Sequence, residues 1–166
     1  MIAVAERTFA VLALVAIVIA VGTALTLARR RVPEWLLAAA LPTATAVAAV
    51  ATGGSLLLSE VVGYTPCTLC WYQRIAMYPL VIVLGVAAAR GDREVWRVTV
   101  PLSAIGSVIA VWHIAIENNP ALGGACDPAA PCSLIWVEEF GFLTLPTMAL
   151  IGFVAIAVLS LAARSR

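Results

Sequence analysis

The chain carries 10 basic and 9 acidic residues, and all of them except Arg74 lie outside five apolar stretches at 9–28, 35–59, 71–89, 98–116 and 142–163. Each stretch is close to the roughly 17–25 residues that cross a bilayer as an α-helix. A helix facing water shows polar residues at every turn of its outer face, so charge sorted in this way means that the solvent is lipid. Charged residues make up only 11% of the chain, against about 25% in soluble domains, which excludes a large extramembrane catalytic domain. A net charge of +1 and the lack of a basic stripe argue against a nucleic-acid binder. A hydrophobic content of 63% excludes disorder. The sequence predicts an all-α, polytopic membrane protein.

The chain has no lysine, so arginine sets the orientation. Arg29, Arg30 and Arg31 follow the first stretch, Arg90, Arg93 and Arg97 lie between the third and fourth, and Arg164 and Arg166 follow the fifth. Five spans put these three regions on one side, which the excess of positive charge makes cytoplasmic. The N-terminus, segment 61–70 and loop 117–141 are then outside. The first stretch has Glu6 and Arg7 before it and the arginine cluster after it, the reverse of a secretory signal. It is expected to be an uncleaved anchor with its N-terminus outside. Pro42, Pro79, Pro101 and Pro146 are expected to kink or start helices, as membrane bundles tolerate. Gly53-Gly54-Ser55 offers a neighbouring helix a close approach.

All four cysteines fall on the side away from the arginine clusters, the expected exterior, where disulfides form and persist. Cys67 and Cys70 form a Cys-x-x-Cys in Tyr64-Thr65-Pro66-Cys67-Thr68-Leu69-Cys70-Trp71-Tyr72-Gln73-Arg74, and Cys126 and Cys132 sit in the loop. Thr65 reads as an N-cap and Pro66 as the first helical residue. Cys67 then lies in the first turn and Cys70 one turn deeper, where the helix N-terminus stabilises a thiolate. Arg74 follows Cys70 by four residues and projects from the same face. An arginine at membrane depth is costly and marks a function. Its natural partner is an anion, the Cys70 thiolate or a reduced ligand beside it; the alternative is snorkelling to the headgroups. The loop pair is either a structural staple or an exchanging dithiol. Zinc shared by both pairs fits poorly, because zinc sites use tight knuckles in both halves. Two external dithiols, one rooted in the bilayer, suggest an electron relay. With no haem motif or dinucleotide loop in the chain, a lipid-soluble acceptor is needed, and a membrane quinone fits that need.

The run Pro66-Cys67-Thr68-Leu69-Cys70-Trp71-Tyr72-Gln73-Arg74 resembles the signature of the DsbB-type disulfide-bond formation proteins. Trp71 to Pro79 and the short Cys-x5-Cys loop are most similar to the BdbC branch. His113, Phe140-Gly141-Phe142 and Pro146 match as well. The resemblance spans about residues 36–163 and implies a four-helix transmembrane bundle. On that basis residues 1–34 form an extra N-terminal transmembrane anchor with an arginine-rich turn. Residues 35–166 form the bundle, with an external redox loop at 117–141. The acidic loop residues Glu117, Asp127, Glu138 and Glu139, with no base among them, depart from the family pattern.

The resemblance implies a quinone-dependent thiol oxidase of the bacterial cytoplasmic membrane. Such proteins reoxidise an extracytoplasmic thioredoxin-like donor of the DsbA or BdbD type, pass the electrons to ubiquinone or menaquinone, and so support disulfide formation in exported proteins. By position, Cys126 would be attacked by the donor's thiolate, Cys132 would exchange with Cys67, and Cys70 would face the quinone. Arg74 would polarise a quinone oxygen. His113 would donate to the ring or relay a proton, its alternative being a bundle histidine bonded to a neighbouring helix. Trp71 and Tyr72 would line the ring site or anchor the interface. Trp136 and Phe140 suggest a short surface helix over 133–140. No resident metal is expected. A vitamin-K-epoxide-reductase-type enzyme also uses two external pairs, but there the loop pair precedes the rooted one. A membrane subunit with purely structural disulfides would leave Arg74 unexplained.

Overall fold

The computed structural model describes residues 2–123 and 126–164, so Arg166 of the last arginine cluster and Gly124-Ala125 of the redox loop lie outside the described residues. Among the described residues, five helices are long and apolar enough to cross a membrane. They are α1 (Ile2–Ala28), α2 (Glu34–Leu56, prolonged by a π-helical turn at Leu57–Val61), α3 (Thr68–Arg90), α4 (Trp96–Asn118) and α5 (Leu145–Arg164). Lipid cannot hydrogen-bond a peptide group, so each span satisfies its backbone internally. The protein is an all-α, multi-pass membrane protein, as the charge sorting predicts. Pro42, Pro79 and Pro101 lie inside α2, α3 and α4, and Pro146 opens α5. Gly91 closes α3 in the left-handed conformation at φ 65°, its N–H bonding back to Ala87 and Ala88.

Helix α2 packs on α3, α3 on α4, α4 on α5, and α5 back on α2, closing a four-helix bundle. Its core sets Leu80 and Leu84 of α3 and Phe153, Ile156 and Leu159 of α5 against the small face Ala40, Ala44 and Ala48 of α2. Helix α1 lies outside this ring, along α5, and barely touches α2. Its buried residues Ala10, Ala13, Ala16, Ala20 and Thr23 fall at helical spacing on one face. Small residues of this kind let membrane helices approach closely, and Ala16 and Ala20 meet Ala155 of α5. At the opposite end from the cysteines, Arg97 and Arg164 lie 5.8 and 4.2 Å from the ring of Trp96.

Three local expectations are corrected. Helix α3 is capped by Cys67 and begins at Thr68, so Thr65 is not the N-cap and Pro66 is not helical. The segment around Trp136 and Phe140 is not a surface helix. It leads into a two-stranded antiparallel ribbon, β1 (Glu138–Glu139) and β2 (Leu143–Thr144), in which Glu138 pairs with Thr144. Phe140 and Gly141 both take positive φ, 56° and 76°, which turns the chain back and excludes a helix there. The fifth helix therefore begins at Leu145 rather than at 142.

Helices α4 and α5 meet closely at Gly106, where an added Cβ would stand 2.3 Å from the Phe153 ring. Gly106→Val is expected to lower stability in detergent by about 1–3 kcal/mol, the usual cost of overpacking. Phe153→Leu in the same chain should restore part of it. Equilibrium unfolding monitored by far-ultraviolet circular dichroism checks this.

Candidate redox site

The site is assembled where the N-terminus of α3 meets the C-terminal part of α4 and the loop that follows it. Cys67 has an extended backbone, and its Sγ accepts the Cys70 N–H at 3.2 Å, so the thiol itself caps the helix. The Cys67 and Cys70 sulfurs lie 2.8 Å apart and are not bonded to each other, whereas Cys126 and Cys132 form a disulfide. Cys67 and Cys132 are both buried against Ile116, and Cys70 and Cys126 pack on the same cluster. The folded chain thus brings together two pairs that are far apart in sequence.

His113 of α4 sits between the pairs. Its Nε2 is 3.1 Å from the Cys132 carbonyl oxygen and 3.7 Å from Cys67 Sγ. Its Nδ1 is 3.4 Å from the Gln73 amide nitrogen. With Nδ1 accepting from Gln73, the proton is on Nε2, which donates to the carbonyl and faces the Cys67 sulfur. The Cys67 thiol is held well below its ordinary range, first by the hydrogen bond with Cys70 and then by the one with His113. Glu117, one turn beyond His113, accepts from Thr144 Oγ1 at 2.7 Å, which ties the ribbon to α4. The donor atoms of Cys67, Cys70 and His113 lie within 4.8 Å of one another, so the reduced site also has the spacing of an incomplete metal site.

Arg74 is 9% exposed. Its Nε donates to Ser55 Oγ at 3.0 Å and its Nη2 to the Ser55 carbonyl oxygen at 3.1 Å. The guanidinium is 5.0 Å from the Trp71 ring centre. Arg74 is therefore hydrogen-bonded within the protein. Together with Cys70, Gln73 and Ser55 it lines a cavity of about 340 Å³ bounded by α1, α2, α3 and α5.

The residues singled out in the sequence divide between two faces of α3. Cys70 and Arg74 line the cavity and Cys67 faces His113 and Cys132, with Cys70 also packing on the Cys67–Cys132 cluster. His113, Trp71 and Tyr72 are not among the cavity-lining residues. Trp71 and Tyr72 are exposed on the bundle surface. Sequence reasoning missed Gln73, which touches both faces, and Ser55, which holds Arg74. Both are polar residues inside apolar spans, and that was the available signal. It also missed Tyr64, whose ring stacks on Trp136 at 4.8 Å and whose hydroxyl donates to Glu6 at 2.6 Å.

A reduced dithiol at the mouth of a membrane bundle, packed against a disulfide on the adjoining loop, defines a membrane thiol–disulfide protein. The model of the family "Disulfide bond formation protein DsbB" matches residues 37–163, and the chain belongs to that family. It is 45% identical over 124 residues to the probable disulfide formation protein C of Bacillus cereus, covering 73% of this chain and 88% of that one. It is 43% identical over 114 residues to the disulfide bond formation protein C of Bacillus subtilis, covering 68% and 83%. A probable disulfide formation protein of Metapseudomonas resinovorans is 38% identical over 123 residues, covering 72% and 85%. No solved structure matches the chain significantly. The protein is thus a BdbC-like membrane protein of disulfide bond formation. Helix α1 lies entirely outside the residues that match the family model.

The lowered thiol at Cys67 has a pH signature. With Cys126 and Cys132 replaced by alanine and the rooted pair reduced, one thiolate should persist as pH falls below the ordinary thiol range. It should disappear only as pH falls through the lowered value. Cys70→Ala and His113→Ala should each move that midpoint upward, Cys70→Ala by more. Thiolate ultraviolet absorbance against pH measures it.

Proposed function

We propose that the protein oxidises a thioredoxin-like protein dithiol of the DsbA or BdbD type and delivers the electrons to a membrane quinone. The observation that carries this reading is the division of the rooted pair. Cys67 is packed against the loop disulfide, and Cys70 borders a membrane-depth cavity beside a buried arginine. The donor's thiolate attacks Cys126, releasing Cys132 as a thiolate, and the donor's second thiol then resolves the mixed disulfide. The Cys126–Cys132 dithiol next reduces a Cys67–Cys70 disulfide, with Cys132 attacking Cys67 and His113 Nε2–H stabilising the sulfur that carries charge. That exchange leaves the loop pair bonded and the rooted pair reduced.

The cavity suits a quinone. Its volume is within the roughly 300–1,000 Å³ of small-molecule sites. Its walls are largely apolar, and Arg74, Ser55 and Tyr78 gather polar atoms beside Cys70. A bound quinone supplies an acceptor for the electron pair and for protons. Arg74 has five N–H donors, and Ser55 engages only two of its nitrogens. The rest of the fork can point at a ring oxygen and stabilise negative charge there. Gln73, which lines the cavity and also bonds His113, holds the imidazole proton on Nε2.

Anaerobic mixing of the purified protein with a reduced thioredoxin-like donor and a quinone is expected to yield quinol, followed by absorbance. The Cys126→Ala/Cys132→Ala chain should still pass electrons from dithiothreitol to quinone through Cys67 and Cys70, but should not oxidise the protein donor. Arg74→Lys keeps the charge and loses the planar fork, so the apparent KM for quinone should rise about tenfold, the loss of about one charge-assisted hydrogen bond. No quinol from the wild-type protein, or unchanged quinone kinetics in Arg74→Lys and Arg74→Gln, would count against the assignment.

We also infer from the arginine asymmetry that the cysteine end faces outward, with the N-terminus on the same side. A membrane-impermeant maleimide should label Cys126 in intact, reduced cells. Labelling only after lysis would reverse the orientation.

A further inference from the structure

We propose that α1, the helix outside the family core, forms with α2 a groove that binds the isoprenoid tail of the quinone. This inference rests on the quinone reading above and extends it from the ring to the tail. The cavity is not confined to its polar pole at Cys70 and Arg74. It continues down the seam between α1 and α2, from Ser55 to Thr43 on α2 and from Phe9 to Ile19 on α1. At 1.5 Å per residue these lengths are about 18 and 15 Å, longer than a ring needs. Below the polar pole the walls are almost wholly apolar, with Leu12, Val15 and Ile19 facing Ala46, Val47 and Val50.

The geometry of α1 explains why the seam stays open. The helix leans on α5 through its alanine face and scarcely contacts α2. Its outer end is fastened over the polar pole. Glu6 accepts from Tyr64, Arg7 pairs with Glu139 at 3.6 Å, and the Phe9 ring closes on Gly54, where a Cβ would come within 2.9 Å. Gly54 adjoins Ser55, the residue that holds Arg74. Below Phe9, Val47 of α2 packs on the Ala16–Ala20–Ala155 cluster at the floor of the seam, while the wall residues Leu12, Val15 and Val50 are exposed to the side. The groove therefore opens laterally into hydrocarbon, where isoprenoid chains reside, and is continuous with the place where a ring would meet Cys70. An apolar chain laid in it gains contact on two sides at no cost in polar desolvation.

Binding of matched quinone pairs to the full-length protein in detergent tests this, read by quenching of tryptophan fluorescence. Menadione is compared with phylloquinone, and the tail-less dimethoxy-methyl-benzoquinone with decylubiquinone. The wild type should bind the tailed member of a pair at least about tenfold more tightly, through van der Waals contact of the tail with the groove walls. Ala46→Trp and Val15→Trp, which fill the groove from either wall, should each erase that preference. Val18→Trp, on the exposed face of α1 away from the cavity, should leave it intact. Equal binding of tailed and tail-less quinones by the wild type overturns the groove and leaves the ring site standing. So does a preference that survives both groove variants, or one lost equally in Val18→Trp. Failure of every quinone to bind the wild type overturns the ring site and the groove together.

Discussion

In hydrocarbon every backbone N–H and C=O must be paired within its own segment, and this requirement determines where the protein can place reactive groups. Helix interiors offer no free backbone donors; helix ends do. Cys67 occupies such an end. Its sulfur takes the N-cap position and accepts the Cys70 N–H, so the reactive atom satisfies an otherwise orphaned donor. Because Cys67 has an extended backbone, its side chain is released from helical periodicity and turns toward α4 and the loop. Cys70, in the first turn, keeps the helical direction and borders the cavity on one side and the Cys67–Cys132 cluster on the other. Two sulfurs 2.8 Å apart can therefore look into two different environments. On the proposed reading, one is reached by Cys132 of the loop pair and the other from lipid by a quinone.

The spans were legible because charge exclusion over about twenty residues depends on composition alone, with no tertiary information. The Cys-x-x-Cys and Arg74 were legible because their spacing lies within a single helix turn or two. The elements that were misread each depend on contacts distant in sequence. Thr65 has the chemistry of an N-cap, yet Cys67 takes that role because its sulfur also meets His113 and Cys132. Trp136 and Phe140 have the look of an interfacial helix. Trp136, however, stacks on Tyr64, and the positive φ of Phe140 serves a ribbon anchored through Thr144 to Glu117. Ser55 and Gln73 could have been flagged as polar residues in lipid, but nothing in the sequence says which neighbour each one serves.

Arg74 shows how the magnitudes balance. An arginine at the centre of a membrane helix costs roughly 2.5–3.5 kcal/mol, and less toward the interface. Two hydrogen bonds to Ser55, each worth about 1.5–3 kcal/mol when one partner is charged, can offset that. Stacking on Trp71 adds to it. The glycines beside Ser55 have their own part in this. Gly54 admits Phe9, so the α2 backbone that presents the Ser55 carbonyl is also where α1 closes on the bundle.

Helix α1 illustrates the difference between what holds an element and what sets its register. Arg7 is 75% exposed on its side chain, and its ion pair with Glu139 spans 3.6 Å. Such a pair is worth between zero and about 1 kcal/mol. Apolar burial cannot hold α1 either, because lipid competes for apolar surface as well as protein does. What remains is close packing. The alanine face of α1 lies against α5, Ala16 and Ala20 meeting Ala155 with Ile151 beside them, and each atom pair in van der Waals contact contributes about 0.1–0.2 kcal/mol, many times over. A small-residue face of this kind resists rotation of the helix about its axis but only weakly resists sliding along it. The Glu6–Tyr64 bond at the cysteine end and Phe9 against Gly54 one turn further along are directional and short, and they fix the sliding coordinate. The acidic loop, which has no base of its own, meets Arg7 for the same reason. Once Phe9 is seated, the helix rise places Arg7 beside the ribbon, so the ion pair follows from the register of α1 and does not determine it.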